Sequence, residues 1–214
     1  MAKRKQKIVV ISCMHGRHDT VQYCLNKMPF IDKIMIYSTD EDGEFLDGQD
    51  IFAKAQYMNK PLSRKWAIAV YSLKQIDFDA MILLGSDDYI HEKFLKFAQD
   101  NIENYDMIGF TDAYYEQDGE FWYWSGYDNH RKGEPVGAGK IYSRKFLERI
   151  DFNLYPGFVN VGLDYIAHKV CLNNNANMLV TSLKEHDLFM CDVKDNEGMN
   201  SLEKLRNTFN IVRL

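Results

Sequence analysis

The feature that most constrains the fold is a pair of strand-like runs near the start of the chain, with a helix-like segment between them. The first run, residues 8–11, is Ile-Val-Val-Ile, a continuous β-branched stretch typical of strands buried on both faces of a parallel sheet. Residues 18–27 have a helical pattern, and residues 33–37 form the second strand-like run. A strand, a helix and a second strand in this order form the unit of a parallel sheet, so we predict an α/β fold.

Strand and helix patterns continue to alternate through the first half of the chain. Helices are predicted for residues 61–74 and 91–101, and a buried strand for residues 80–84. The second half is more mixed, so we expect a central, mostly parallel sheet with antiparallel additions and flanking helices. In such sheets, ligands bind beyond the carboxyl ends of the strands. The loops that this rule singles out are residues 13–17, 40–43, 85–88 and the chain after Leu183.

The composition fits one globular domain. The chain has 214 residues, of which 46% are hydrophobic and 27% charged, enough for one full core over residues 1–214. Residues 1–6 are predicted to be a flexible basic arm; no apolar signal-peptide segment follows them, and no segment approaches the roughly 20 apolar residues of a membrane span. The net charge of −5 argues against nucleic acid as a partner. Four cysteines without a C-x-x-C pair suit reduced thiols, and we expect a cytoplasmic location.

The strongest chemical signal is the pair Asp87 and Asp88, which follows Gly85 and Ser86 at the end of the predicted strand 80–84. Two adjacent carboxylates repel each other and cost desolvation unless a cation or a hydrogen-bond donor offsets them. Mg²⁺ and Mn²⁺ take carboxylate oxygens and often share a site with substrate phosphates. The alternative is a structural role, in which Asp88 caps the helix that starts near His91.

Charged residues at other element ends are further candidates. His186 follows a predicted strand and could ligate a metal, although a single histidine is more often structural. Asp164 opens a predicted helix, where it either stabilises the helix dipole or acts as a general base. Arg64 and Lys65 lie in a first helical turn, where the dipole disfavours cations unless an anion such as a diphosphate binds there. Plain solvent exposure is the alternative for either of these two.

An aromatic segment follows the predicted hairpin turn at residues 117–120. Its members Trp122, Trp124 and Tyr127 could stack on sugar rings, but aromatic residues also build cores. Because side chains alternate along a strand, we expect only one or two of them to contact a ligand.

In order and spacing, these motifs resemble the GT-A fold glycosyltransferases, particularly the family 2-like inverting enzymes. The resemblance runs from Lys7 to about Asp187. The first strand and the loop 13–17 resemble the nucleotide-binding start of that family, and residues 59–67 resemble its Asn-x-Gly-Leu-Ser-x-Ala-Arg-Asn stretch. Residues 85–88 lie where the family has its Asp-x-Asp metal motif, and residues 137–143 resemble the strand before its acceptor-side helix.

The resemblance implies a GT-A-like nucleotide-diphospho-sugar transferase fold and a metal-dependent glycosyltransferase of hexosyltransferase type. A nucleotide-diphosphate sugar, with UDP favoured, would donate its sugar to a hydroxyl of a glycan or glycoprotein acceptor, with inversion. Asp164 is implied as the catalytic base, and Asp88 and His186 as ligands of Mn²⁺ or Mg²⁺. The implied donor-binding residues are Ser12, Cys13, His15, Arg17, Asp40, Arg64, Lys65, Ser86 and Asp87. The acceptor-side candidates are Trp122, Trp124 and Tyr127.

The chain departs from the family pattern in several places. Gly85 or Ser86 replaces the first aspartate of the metal motif, Pro61 replaces a glycine, and Leu163 replaces the glutamate before Asp164. Compact, unanchored versions of this fold also occur in large algal viruses, where they glycosylate capsid protein; such an origin would place the chain in the host cytoplasm.

Two alternative functions remain open. A sugar-phosphate nucleotidyltransferase would need a Gly-rich basic loop after the first strand, where this chain has one glycine and one arginine. A non-catalytic nucleotide-sugar or glycan-binding domain would suit the missing first aspartate.

Overall fold

Strands and helices alternate along the chain in the computed structural model, which describes residues 4–195 and 201–214. The strands in this part of the chain are β1 (Ile8–Cys13), β2 (Asp32–Tyr37), β3 (Ala53–Gln56), β4 (Ala80–Leu83), β5 (Asp88–Ile90), β6 (Met107–Phe110), β7 (Ala113–Gln117), β8 (Glu120–Trp124), β9 (Lys140–Ser143), β10 (Met178–Thr181), β11 (Met190–Val193) and β12 (Ile211–Arg213). The helices are α1 (His18–Lys27), α2 (Asp40–Asp47), α3 (Leu62–Ser72), α4 (Glu92–Asn101), α5 (Arg144–Arg149), α6 (Leu163–Asn173) and α7 (Leu202–Thr208).

The strands form two sheets. The larger sheet has the order β10-β6-β9-β4-β1-β2-β3, in which β9 is antiparallel to both neighbours and every other pair is parallel. The smaller sheet has the order β12-β8-β7-β11-β5, and only its β7–β11 pair is parallel. The predicted α/β fold with a mostly parallel central sheet and flanking helices is therefore confirmed.

Strand β1 lies inside the larger sheet and is covered on both faces. Val9 and Ile11 pack in a cluster with residues of α3, α5 and α6. Val10 packs on the opposite side with residues of α1 and α4. Helices on both faces explain why the run 8–11 is apolar throughout instead of alternating with polar residues.

One predicted loop is wrong. Residues 40–43 form the first turn of α2, because Thr39 caps this helix. The Thr39 side chain accepts a hydrogen bond from the backbone of Asp42, and the Asp42 side chain accepts one from the backbone of Thr39. This reciprocal pair satisfies backbone N–H groups that a helix start would otherwise leave free.

The start of the chain contacts the body of the protein. Residues 1–3 of the predicted basic arm lie outside the described residues. Arg4 donates a hydrogen bond to Asp79, and the carbonyl of Gln6 accepts one from Gln99. Among the helices in the described ranges, none has the length and apolar character needed to cross a membrane.

Candidate functional site

The candidate site lies where the carboxyl ends of β1, β2 and β4 meet. These three strands are parallel neighbours, with β1 between the other two. The loops after them, residues 14–17, 38–39 and 84–87, therefore lie at one edge of the larger sheet, as the rule for ligand sites in such sheets requires.

Three carboxylates cluster at this edge, and we call them the carboxylate triad: Asp87, Asp88 and Asp192. One ligand oxygen from each lies within 4.8 Å of the others. Asp88 and Asp192 face each other because β5 and β11 pair antiparallel with these two residues in register. The pairing of two distant strands thus completes a motif of which the sequence displays only two members.

Asp88 is held in the turn that joins β4 to β5. The backbone N–H of Gly85 donates a hydrogen bond to its Oδ2, at 2.5 Å. Burial, together with the charges of Asp192 and Asp87, raises the pKa of Asp88 well above its ordinary value. The alternative role of Asp88 as a helix cap is excluded, since α4 begins at Glu92 and its cap residue is His91.

Gly85 lies close to two carboxylates of the triad. A Cβ atom at this position would lie 2.6 Å from Oδ1 of Asp87 and 3.0 Å from Oδ2 of Asp88. A side chain here would require the two carboxylates to shift, so glycine suits the close approach of Asp87 and Asp88 to this turn.

Asp192 is a site residue that sequence reasoning missed. Burial raises its pKa to about 6, although Lys194, with its Nζ 2.5 Å from Oδ2, opposes this shift. Its Oδ1 is buried and has no hydrogen-bond partner among the described residues. Hard carboxylate oxygens with one of them unpartnered fit a divalent cation such as Mg²⁺ or Mn²⁺. No signal local to residue 192 could have found it, because its place depends on the pairing of β11 with β5.

Arg17 brings a positive charge to the rim of the triad. Its Nη1 donates to Oδ2 of Asp87 at 2.7 Å, and its Nε donates to Oδ2 of Asp195 at 2.6 Å. It precedes α1 in the left-handed backbone region, with φ of 59°. Of the predicted donor-binding residues, Arg17 and Asp87 are thus in direct contact.

The predicted donor-binding residue Asp40 lies on the surface at the start of α2, where it accepts a hydrogen bond from Gln56. The buried carboxylate at this position is Asp42, which is 1% exposed and accepts hydrogen bonds from His18 and from the backbone of Gly16, Ser38 and Thr39.

Burial raises the pKa of Asp42, but these hydrogen bonds outweigh it and lower the pKa to about 2. Asp42 therefore ties the loop after β1 to the end of β2. The Thr39-x-x-Asp42 spacing is the sequence signal that could have identified it.

Lys65 supports the site from beneath. It is fully buried, and its ammonium donates to the carbonyl of Met14, to Oγ of Ser38 and to Oδ1 of Asn59. Burial lowers its pKa. The predicted direct contact with a donor does not fit this burial, because the ammonium is engaged with oxygens from the loops after β1 and β2. Arg64 points elsewhere, with its guanidinium 4.7 Å from the ring of Phe158.

The remaining predicted donor residues have different degrees of exposure. Ser12 and Cys13 lie within β1, and Ser12 is buried with its hydroxyl unpartnered among the described residues. Burial raises the pKa of Cys13, so it stays a thiol. His15 is half exposed, with Nδ1 3.9 Å from Asp42, and Ser86 is part of the turn that carries the triad.

The structure does not bring His186 to the triad. Its ring contacts the hydroxyl of Thr181 at 2.9 Å and lies 4.9 Å from the ring of Phe97. Thr181 ends β10, which is the edge strand of the larger sheet and is separated from β1 by three other strands. Pairing His186 with Asp88 as joint metal ligands is therefore not supported by this arrangement, and Asp192 supplies the third group instead.

Asp164 lies in the first turn of α6, as predicted. Its Oδ2 accepts a hydrogen bond from Nη2 of Arg131 at 2.7 Å, and its backbone carbonyl accepts one from Lys140. Burial raises its pKa, but the hydrogen bond from Arg131 and the charge of Lys140 outweigh burial and lower it. Asp164 is therefore ionised at neutral pH.

Of the three predicted acceptor-side aromatics, only Tyr127 is brought close to Asp164. Its hydroxyl accepts a hydrogen bond from Arg131, which also binds Asp164. Trp124 is buried against Tyr127 and Phe209. The ring of Trp122 lies against the guanidinium of Arg206, on the smaller sheet.

Comparisons with known proteins identify the fold. No family model matches the chain, and no curated protein matches it in sequence. Solved structures do match: S. aureus TarS residues 1–349 in complex with UDP-GlcNAc has a TM-score of 0.59 at 17% identity, covering 90% of this chain and 60% of that one. GalNAc-T7 with UDP, GalNAc and Mn²⁺ has a TM-score of 0.60 at 10% identity, covering 92% of this chain and 45% of that one.

A nucleotidyltransferase has a similar fold as well. The CMP:2-keto-3-deoxy-manno-octonic acid synthetase complexed with CTP has a TM-score of 0.53 at 11% identity and covers 94% of this chain and 96% of its own. In contrast, the chain spans only about three fifths of the TarS fragment. It has the GT-A-like fold of the nucleotide-diphospho-sugar transferases.

Proposed function

We propose that this protein is a metal-dependent glycosyltransferase that moves a sugar from a nucleotide-diphosphate donor, with UDP favoured, to an acceptor hydroxyl with inversion. The observation that carries the proposal is the carboxylate triad, which lies between the end of β4 and the start of β5 and on the facing strand β11, beside a cationic arginine. Proteins of similar fold have been solved in complex with UDP-GlcNAc and with UDP, GalNAc and Mn²⁺, which supports the choice of donor and ion.

Asp87, Asp88 and Asp192 would hold Mn²⁺ or Mg²⁺. When bound, the cation supplies electrostatic stabilisation to the negative charge that develops on the diphosphate leaving group. Arg17 lies against Asp87 at the N-terminus of α1, where backbone N–H groups favour anions. We expect its guanidinium to bind the diphosphate, because charge-assisted bonds from arginine suit phosphate oxygens.

The loops after β1 and β2 would receive the nucleoside part of the donor. Asp42 and Lys65 fix these loops from below through hydrogen bonds to Gly16, Ser38 and the carbonyl of Met14. The half-exposed His15 at the same edge is free to contact the donor. Asp42 and Lys65 thus shape the site without taking part in the reaction.

Asp164 would act as the general base. The acceptor oxygen attacks the anomeric carbon, the bond from that carbon to the diphosphate oxygen breaks with its electron pair leaving on the diphosphate, and the acceptor proton passes to Asp164. The lowered pKa of Asp164 keeps it ionised and ready to accept this proton. A single displacement of this kind inverts the anomeric configuration.

The first experiment measures the thermal midpoint with a panel of nucleotide diphosphates, each with Mn²⁺ and with EDTA. A ligand that binds only the folded state raises the midpoint. We expect a rise with one nucleotide that needs Mn²⁺, followed by turnover of the matching nucleotide sugar and an inverted product by NMR. A retained product would rule out the role of Asp164, and no rise with any nucleotide would rule out the donor site. Release of pyrophosphate from CTP and a sugar, without sugar transfer, would favour a nucleotidyltransferase.

A further inference from the structure

The carboxylate of Asp164 is bound by an arginine from another part of the chain. Arg131 donates from Nη2 to Oδ2 of Asp164 at 2.7 Å, from Nε to Glu134 at 2.8 Å and from Nη1 to the hydroxyl of Tyr127 at 2.9 Å. Its guanidinium also lies 4.1 Å from the centre of the Tyr127 ring. Every nitrogen of the guanidinium therefore has a partner, and its carbon lies over the Tyr127 ring.

The backbone that carries Arg131 is held as well. The N–H of Arg131 donates to Oδ1 of Asn129, and the N–H of Glu134 donates to the carbonyl of Arg131. The side chain of Arg131 is only one-fifth exposed, and that of Asp164 one-quarter. An ion pair shielded and anchored to this degree orients its members, unlike a surface pair between two mobile side chains.

We propose that Arg131 is the positioning residue for Asp164: it holds one carboxylate oxygen and so presents the other to the acceptor hydroxyl. This inference rests on the proposed function, in which Asp164 takes the acceptor proton. Arg131 does not contact the reacting atoms; it fixes the direction in which Asp164 offers its lone pairs and keeps the carboxylate ionised.

Several titratable groups surround the carboxylate of Asp164. The titratable groups that face it, besides Arg131, are Tyr127, Lys140, Tyr142 and Tyr155. Glu134 and His168 face the two cations, Arg131 and Lys140.

Of these groups, Lys140 is the second cation. It is fully buried, and burial lowers its pKa to about 8, so it stays charged throughout the acidic range. In that range the charge of Lys140 is constant, so a change in the pKa of Asp164 after substitution of Arg131 reports the loss of the Arg131 charge.

The test compares the wild type with Arg131→Met, Arg131→Lys and Glu134→Gln in the full chain. The pKa of Asp164 is measured by ¹³C NMR of its carboxyl carbon, assigned with Asp164→Asn, and the acidic limb of kcat against pH is measured in parallel. We expect Arg131→Met to raise both by about one pH unit or more, because an adjacent arginine lowers an aspartate pKa by roughly that amount. We also expect kcat to fall roughly tenfold or more with little change in the donor KM, since the base is misdirected and not removed.

The other variants separate charge from geometry. Arg131→Lys keeps the charge but not the three-way fork, so it should restore the pKa while kcat stays low. Glu134→Gln keeps Arg131 and loosens its anchor, and it tests the inference even if Arg131→Met does not fold. A matched control is Arg149→Met, which removes an arginine–aspartate pair elsewhere, with Asp106, and should leave the acidic limb unchanged.

Two outcomes overturn different claims. An unchanged Asp164 pKa and an unchanged acidic limb in a folded Arg131→Met would overturn the role of Arg131. A wild type that turns over no nucleotide sugar would overturn the proposed function, while the NMR titration would still decide whether Arg131 controls Asp164.

Discussion

Replacing Asp88 with asparagine should stabilise the metal-free protein. Asp88 lies buried within 4.8 Å of two other carboxylates, and at an effective dielectric constant near 20 each such pair costs about 3–4 kcal/mol. Arg17 and Lys194 offset much of this repulsion, and the Gly85 hydrogen bond loses about 1 kcal/mol when its acceptor becomes neutral. We therefore expect a net gain of about 2 kcal/mol in the free energy of unfolding at pH 8.

The gain should depend on pH with a definite sign. Folding raises the pKa of Asp88. Below the unfolded pKa the carboxyl is protonated in both states and its charge costs no stability. The stability of the wild type is then lost as pH rises from the unfolded pKa through the folded pKa. Asp88→Asn should thus match the wild type near pH 4 and exceed it at pH 8.

The assay is thermal and urea unfolding in EDTA across this pH range. About 2 kcal/mol corresponds to a rise of roughly 4–8 °C in Tm for a chain of this size. The same variant should lose the stabilisation that Mn²⁺ gives the wild type. The control Asp100→Asn removes an exposed carboxylate paired with Lys96 and should change the free energy by less than about 0.5 kcal/mol. A variant that is less stable than the wild type at pH 8 in EDTA would refute the reasoning, because the triad would then already be balanced without a cation.

Three further predictions follow from the same site. Asp192→Asn should abolish the Mn²⁺-dependent rise in Tm, whereas His186→Ala should keep it; the reverse result would return the ligand role to His186. Asp42→Asn should lower the free energy of unfolding by about 2 kcal/mol at pH 7. Because a lowered pKa stabilises the folded state only above the unfolded pKa, the difference from the wild type should disappear as pH falls from about 4 to 2. Urea titrations at several pH values would measure this, and a constant difference would contradict it. Gly85→Ala should weaken Mn²⁺ binding at least tenfold by calorimetry, because its Cβ would meet Asp87 at 2.6 Å; unchanged affinity would mean that the turn can shift freely.

The local patterns of the sequence predicted the parallel sheet and the strand end that carries Asp87 and Asp88. The apolar run 8–11 became a strand covered on both faces, and Asp87 and Asp88 do follow a buried strand at the edge where ligands bind. Strand burial and strand ends depend on neighbouring residues in the chain, which is why a single sequence can indicate them.

The rest depended on contacts between distant residues. Asp192 joins the triad only through the pairing of β11 with β5, and the grip of Arg131 on Asp164 arises from an irregular loop without a periodic pattern. His186 was expected near the metal because it follows a strand, but that strand is the far edge of the sheet. Strand order, which decides such distances, is not encoded in any short segment.

The strand register that sets Asp88 opposite Asp192 also determines the stage of folding at which the site can form. Its groups come from both ends of the chain; Arg17 and its partner Asp195 are 178 positions apart. During synthesis the N-terminal strands emerge first, and they can collapse onto their helices long before β11 is available. Such an intermediate holds Asp87 and Asp88 but lacks Asp192 and the strand that brings it, so the proposed cation site would be incomplete at this stage. Under the proposed function, a chain truncated before β11 would not bind the cation at the triad, and activity would require the pairing of β11 with β5.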